Sequence, residues 1–126
     1  MEPKEHFIFA LDVERFEEAQ KLVLEFKDHV GMFKVGKQLF THCGPKIVDF
    51  IKLKNSKVFL DLKYHDIPNT VSRASTEAAK LGVDMLNVHT MGGFTMMNET
   101  RQAVQNAVKS ISIQLSLIHI YEHKRP

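Results

Sequence analysis

Three charged side chains follow one another closely after an apolar run. Asp61, Lys63 and Asp66 come directly after residues 58–60, which read Val-Phe-Leu. A fixed carboxylate raises the energy of a neighbouring anionic substrate group, and an ammonium stabilises negative charge developing on carbon and can deliver a proton to it. The pattern is therefore suited to the loss of a carboxylate followed by protonation of the carbanion.

The same residues also have a purely structural interpretation. Charges brought together at a strand end cost desolvation unless opposite signs alternate and each group is hydrogen-bonded. The Asp-Lys-Asp alternation, with Lys34 on the preceding strand, meets that condition. Ion-pair networks of this kind are common at sheet ends, so the residues alone leave both interpretations open.

The elements that must position these side chains repeat in a βα pattern. Each predicted strand is followed by apolar residues at helical spacing, Pro45 and Pro68 suit the first turn of a helix, and Gly82 suits the end of one. Strands separated by helices normally form a parallel sheet. The predicted strands are residues 7–11, 32–35, 58–62 and 85–88.

Polar residues at the predicted strand ends indicate which parallel fold is formed. Asp12, Lys34, Asp61, Lys63 and His89 all fall at the carboxyl ends of strands, where both an open doubly wound sheet and a (β/α)₈ barrel place their ligand sites. An open sheet usually gathers its site around a glycine-rich phosphate turn, and GxGxxG is absent. GMFKVGK at residues 31–37 matches GxxxxGK, but it overlaps the second predicted strand and is followed by Gln38 instead of the Ser or Thr of a phosphate-binding loop. We therefore predict an α/β fold of the (β/α)₈ TIM-barrel family, with the first four βα units and a possible fifth strand.

Composition excludes several classes of partner. A net charge of +2, from 17 basic and 15 acidic residues, gives no strong field for nucleic acid or an anionic membrane. No apolar run reaches the length of about 18 residues that spans a bilayer, and the single Cys43 fits a reducing compartment. His6, His29, His42 and His65 lack ligand spacing, and His119 and His123 lie four residues apart only near the end of the sequence. We expect a cytoplasmic protein without a metal site, a nucleic-acid partner or a membrane partner.

Four stretches resemble the orotidine 5′-phosphate decarboxylases in order and spacing. The bare Asp-x-Lys-x-x-Asp pattern is shared with other members of that superfamily, whereas LKYHDIPNTV is similar to the orotidylate enzymes in particular. The resemblance covers residues 7–109. The stretches are FALD at residues 9–12, FKVGKQLF at 33–40, VFLDLKYHDIPNTV at 58–71 and LNVHTMGG at 86–93.

The resemblance implies catalytic roles for Lys63, Asp61 and Lys34 and a substrate-binding role for Asp12. Lys63 would protonate the pyrimidine carbon that loses carbon dioxide, and Asp61 would crowd the departing carboxylate. Lys34 and Asp12 would bind ribose hydroxyls and anchor the charged array. The product would be uridine 5′-phosphate, made in pyrimidine biosynthesis without a metal or an organic cofactor.

The resemblance also implies a homodimer. Asp66, which counts among the catalytic residues, and Thr70 would reach across the interface to the substrate of the partner subunit. Ile67, between them, would bind substrate as well.

The end of the sequence departs from the family pattern. Residues 110–126 alternate like a strand at Ile111, Ile113, Leu115 and Leu117 but lack the fifth-strand motif of the family. A (β/α)₈ barrel needs about 200 residues or more. The resemblance implies that the half beyond these four units carries the phosphate-binding residues, so we expect them to be absent from this chain. We predict part of a decarboxylase domain at residues 1–109 and a divergent tail of frame-shifted or artefactual origin at 110–126, in a truncated, inactive chain. The alternative is a divergent fifth strand that pairs with the fourth.

Two other functions fit parts of the pattern. One is a related sugar-phosphate decarboxylase or aldolase that uses magnesium to stabilise an enediolate, although the Ile-Pro-Asn-Thr sequence at residues 67–70 argues against it. The other is a non-catalytic half-barrel fragment that dimerises through the third βα loop.

Overall fold

Strands and helices alternate along the chain in the computed structural model, which describes residues 1–111 and 117–121. The chain forms two compact units, Met1–Asp61 and Leu62–Pro126. The second unit begins inside the third strand. None of the helices within the described ranges is both long enough and apolar enough to cross a bilayer.

The first unit is built on parallel strands. A short 3-10 helix, Pro3–His6, precedes the first strand. Strand β1 pairs with β2, and β2 pairs with β3 from Met32 opposite Lys57 to Gly36 opposite Asp61. The elements are β1 Ile8–Ala10, α1 Phe16–Phe26, β2 Met32–Gly36, α2 Lys37–Cys43, α3 Lys46–Leu53 and the beginning of β3 Lys57–Tyr64.

The core of this unit follows from the predicted periodicities. In β2, Phe33 and Val35 are fully buried while the residues that alternate with them are partly exposed, as expected for a strand with period two. The helices α1 and α3 each bury one apolar stripe, which confirms the helical spacing seen in the sequence. The buried residues of these helices are Ala19, Val23, Ile47, Val48 and Ile51.

One helix was not predicted from the sequence. The chain enters α2 directly after β2, and Gly44 ends it with a φ of 65°, in the left-handed region that favours glycine. Helix α3 then begins after Pro45. Helix α2 is seven residues long and buries only Leu39, so it gives too short a stripe for helical periodicity to reveal.

The second unit continues the alternation. Pro68 begins α4, as predicted, and Gly82 follows that helix with a φ of 89°. Strand β4 pairs in parallel with β5, from Met85 opposite Leu117 to His89 opposite Tyr121. After the end of β3, the elements are α4 Pro68–Lys80, β4 Met85–His89, a 3-10 helix Thr90–Gly92, α5 Phe94–Ile111 and β5 Leu117–Tyr121.

The predicted strand in the tail is shifted in the structure. Ile111 closes α5 rather than joining a strand, and β5 begins at Leu117. Ile113 and Leu115 lie outside the described residues. The prediction failed at Ile111 because alternation of apolar residues over a few positions does not exclude the last turn of a helix.

Helices α4 and α5 pack against each other and bury three hydroxyl groups, those of Ser72, Ser75 and Thr100. The side chains of Ser75 and Thr100 are fully buried, and none of the three hydroxyls has a hydrogen-bond partner in the described part of the chain. A buried hydroxyl without a partner costs about 1–3 kcal/mol of desolvation. These three positions therefore lower the stability of the second unit.

We expect Thr100→Val to raise the free energy of unfolding by about 1 kcal/mol, because it removes the hydroxyl and keeps the shape of the side chain. Thr76→Val on α4 is the matched control. The Thr76 hydroxyl donates to the Ser72 carbonyl at 2.9 Å, so its loss should lower stability by about 0.5–1.5 kcal/mol. Urea unfolding measures the stability of both variants. An equal loss of stability in the two would contradict the conclusion that the Thr100 hydroxyl lacks a partner.

Candidate functional site

Three of the seven predicted site residues meet at the strand ends of the first unit. The Lys34 Nζ lies 3.3 Å from Asp61 Oδ2 and 3.9 Å from Asp12 Oδ1. Lys34 lies on β2, and Asp61 lies on β3 opposite Gly36. Asp12 follows β1 closely, and the preceding residue, Leu11, donates its N–H to the Lys34 carbonyl at 2.9 Å. Parallel pairing thus brings the three charges together at one edge.

The two carboxylates that contact Lys34 differ in exposure. The Asp61 side chain is 9% exposed and the Lys34 side chain 26%, whereas the Asp12 side chain is 76% exposed. An ion pair shielded from water is stronger than one in solvent, where the median contribution is about 0–1 kcal/mol. Lys34 and Asp61 therefore form the fixed pair, and Asp12 is available to a ligand.

Lys63 has an unusual backbone conformation in the second unit. Its φ is 50°, in the left-handed region, which costs an L-residue other than glycine about 1–2 kcal/mol. The alternation of side-chain faces along a strand therefore does not hold at Lys63, because that rule requires an extended backbone. Strained residues of this kind cluster at functional sites.

The strand β4 supplies a contact to Lys63 that the sequence did not reveal. The Lys63 N–H donates to Oδ1 of Asn87 at 2.9 Å, and Asn87 is buried. The available signal was a polar residue inside the apolar run of residues 85–88. That signal is weak without the tertiary structure.

The remaining predicted residues lie on the surface of the second unit. Asp66, Ile67 and Thr70 are all exposed, around the turn that begins α4. The Asp66 Oδ1 accepts the N–H of Ile67 at 2.6 Å, which fixes the carboxylate beside the first turn. Exposed side chains of mixed polarity beside a strand end are available for contact with another molecule.

Two histidines of the second unit stack on each other, one directly after β3 and the other at the end of β4. The His65 and His89 rings lie 4.8 Å apart with an interplanar angle of 12°. The His89 Nδ1 accepts the N–H of Met91 at 3.1 Å, so the proton of the neutral ring lies on Nε2. Across the residues that the structure describes, no three His, Cys, Asp or Glu side chains are grouped as potential metal ligands.

Tyr64 follows Lys63 and anchors the end of β3. Its side chain packs against the cluster of Val71, Val88 and Met96. Burial raises the pKa of the Tyr64 phenol, because desolvation disfavours the phenolate.

We expect this raised pKa to make the second unit sensitive to alkali. The neutral phenol contributes its full stability below the ordinary tyrosine pKa of about 10, and that contribution is lost as the pH rises through the higher pKa of the folded state. The phenolate absorbance of the chain, corrected with Tyr64→Phe, should show Tyr64 titrating above the ordinary value. Ionisation at the ordinary pKa in the folded chain would contradict the burial argument.

Comparison with known proteins identifies the family. Residues 5–121 match the family model described as "Orotidine 5'-phosphate decarboxylase / HUMPS family". A protein of Geotalea daltonii named orotidine 5′-phosphate decarboxylase is 51% identical over 108 residues, which are 86% of this chain and 45% of the relative. The chain thus spans less than half the length of this curated relative.

Solved structures agree in fold. An uncharacterized conserved protein from Geobacillus kaustophilus aligns with a TM-score of 0.81 and 37% identity, over 90% of this chain and 53% of that one. Orotidine 5′-phosphate decarboxylase from Pyrococcus horikoshii aligns with a TM-score of 0.72 and 31% identity, over 76% of this chain and 47% of that one. The fold is part of a TIM barrel, as the strand-end charges predicted. By its sequence and its fold, the chain belongs to the orotidine 5′-phosphate decarboxylase family.

Proposed function

We propose that this chain supplies the lysine and carboxylate residues of a carboxy-lyase that converts orotidine 5′-phosphate to uridine 5′-phosphate in pyrimidine biosynthesis. The observation that carries the proposal is the shielded Lys34–Asp61 ion pair, which holds a carboxylate two residues before Lys63 on the same strand. A structural ion pair alone does not account for the strained backbone of Lys63. Together these features support a catalytic use of the charges.

The chemistry follows from the charges of the two side chains. Asp61, held by Lys34, would lie beside the substrate carboxylate, and repulsion between the two anions would raise the energy of the bound substrate. As carbon dioxide leaves, the electron pair of the broken carbon–carbon bond stays on the pyrimidine carbon. The Lys63 ammonium would stabilise that negative charge and donate its proton to the same carbon. No metal or organic cofactor takes part in this scheme.

Binding of the rest of the nucleotide would involve the exposed residues. Asp12, which is largely exposed beside Lys34, would accept hydrogen bonds from ribose hydroxyls. Asp66, Ile67 and Thr70 would contact the substrate of a partner subunit in a homodimer, and their exposure supports this arrangement. We place the enzyme in the cytoplasm because a single cysteine fits a reducing compartment.

The domain boundary near residue 109 is part of the proposal. Residues 1–109 would form the family-like segment and residues 110–126 a divergent tail. The pairing of β5 with β4 and the family match to residue 121 favour a divergent fifth strand over a frame-shifted origin for that tail.

A chimera tests the proposed function. Residues 1–109 would be joined to the part of the Geotalea daltonii relative that follows its aligned segment. We expect the chimera to consume orotidine 5′-phosphate, followed by its absorbance, at a rate that an excess of chelator does not change. A folded chimera without such turnover would contradict the proposal, and a chelator-sensitive activity on a keto-sugar phosphate would support the sugar-phosphate alternative.

The 126-residue chain by itself should show little or no turnover. It covers 45% of the relative's length, and loss of the contacts to the substrate phosphate would remove binding energy that lowers the transition-state barrier. Sedimentation distinguishes the remaining alternative, because a non-catalytic dimerising fragment would form a defined dimer while its chimera stayed inactive.

A further inference from the structure

A polar side chain occupies the middle of a buried apolar strand. Asn87 is 2% exposed and lies in β4 between Leu86 and Val88, which are both buried. Asparagine is depleted in strands, and a buried amide costs free energy unless it is hydrogen-bonded. Its Oδ1 accepts the Lys63 N–H at 2.9 Å. Asn87 therefore makes a specific hydrogen bond to Lys63 at a strand position where an apolar side chain would be usual.

This hydrogen bond holds the backbone N–H of Lys63, the residue that adopts the left-handed conformation. A residue in a parallel strand has a φ of about −120°, whereas Lys63 has a φ of 50°. The Cβ of Lys63 is therefore rotated by roughly 170° about the N–Cα bond relative to an extended residue. The N–H lies in the peptide plane from which this rotation begins. A hydrogen bond to this N–H therefore fixes the orientation of the peptide plane from which the Lys63 side chain departs.

We propose that Asn87 is the positioning residue of Lys63: its side-chain oxygen holds the Lys63 N–H and thereby keeps the left-handed turn that aims the ammonium. The use of that ammonium in proton transfer rests on the proposed function, but the positioning does not. A lysine gains nothing from a left-handed backbone on its own, so a neighbouring group must maintain it. Asn87 is the side chain that the structure places on this N–H.

The first test needs no substitution. In the full chain labelled with ¹⁵N and ¹³C, nuclear magnetic resonance should detect a scalar coupling across the hydrogen bond between the Lys63 backbone nitrogen and the Asn87 side-chain carbonyl carbon. Absence of this coupling in assigned spectra of the folded chain would overturn the proposal.

The second test separates positioning from simple packing. Asn87→Leu removes the acceptor at similar volume, and Asn87→Asp keeps an acceptor oxygen. With leucine, the Lys63 amide should exchange about three- to tenfold faster, the factor that corresponds to one lost hydrogen bond, and the order parameter of the Lys63 Cε should fall. With aspartate, both values should return toward those of the unchanged chain.

Thr100→Val is the control, because it changes another buried polar residue of the same unit, and it should leave both Lys63 values unchanged. If Asn87→Leu lowers stability without changing the Lys63 side chain, Asn87 has only a packing role and the proposal is wrong. If that variant does not fold, Asn87→Asp decides: retained protection and order at Lys63 support the proposal, and loss of both overturns it. None of these measurements uses substrate, so failure of the decarboxylation scheme would not affect them.

Discussion

Replacement of Lys63 by alanine should lower kcat of the chimera by a factor of about 10²–10⁴ or more. General acid catalysis contributes a factor of this size, and the same substitution also removes the positive charge that stabilises the carbanion. Binding of the nucleotide should change much less than kcat, because the lost interaction forms mainly in the transition state. Steady-state rates of orotidine 5′-phosphate consumption give both values.

Two further variants show whether the effect belongs to Lys63 in particular. Lys63→Arg keeps the charge but not a proton that can be transferred near neutral pH, so it should also be slow. Lys57→Ala changes an exposed lysine at the beginning of the same strand and should leave turnover unchanged. Similar losses in Lys57→Ala and Lys63→Ala would point to a general effect on β3 and would contradict a catalytic role for Lys63.

Removal of Lys34 should have the largest effect on the stability of the first unit. Lys34→Met leaves the Asp61 carboxylate, which is 9% exposed, without the ammonium that now lies 3.3 Å away. Breaking a fully buried pair costs about 3–5 kcal/mol. Because the Lys34 side chain is 26% exposed, solvent screening reduces this cost, and we expect a loss of about 1–3 kcal/mol. Denaturant unfolding measures the change.

The double variant Lys34→Met/Asp61→Leu tests the physical cause. Replacing both charges by apolar groups also removes the buried Asp61 carboxylate, so much of the lost stability should return while activity stays absent. Lys80→Met is the control. Lys80 and Glu77 are only 3.0 Å apart but are 52% and 72% exposed, so their loss should cost less than about 1 kcal/mol. An equal cost for both single variants would show that burial does not distinguish the two pairs.

Much of this architecture could be predicted from the sequence because it depends on local periodicity. The strands, the helices α1, α3, α4 and α5, and the turn at Pro68 follow from apolar spacing and from the backbone preferences of proline and glycine. The proximity of Lys34 and Asp61 was also predictable. In a parallel sheet the carboxyl ends of neighbouring strands lie at the same edge, so charges that follow two adjacent strands meet there.

Other features depend on tertiary contacts that no local pattern reveals. The left-handed φ of Lys63 is not a preference of lysine, and the partner of its N–H, Asn87, is 24 residues away in the sequence. The stacking of His65 on His89 likewise joins the residue that follows β3 to the last residue of β4. At Ile111, the pattern was misleading because apolar residues at the end of a helix resembled a strand. The proximity of Lys34 and Asp61 was therefore predictable from the sequence, whereas the backbone conformation of Lys63 was not.

The release of labelled carbon dioxide tests the central claim most directly. Orotidine 5′-phosphate with ¹³C in its carboxylate would be supplied to the chimera and to its Lys63→Ala variant, both with excess chelator, and the gas would be analysed by mass spectrometry. We expect the chimera to release one ¹³CO₂ for each uridine 5′-phosphate formed and the variant to release almost none. Equal release from the two folded proteins would contradict the proposed role of Lys63 in the decarboxylation.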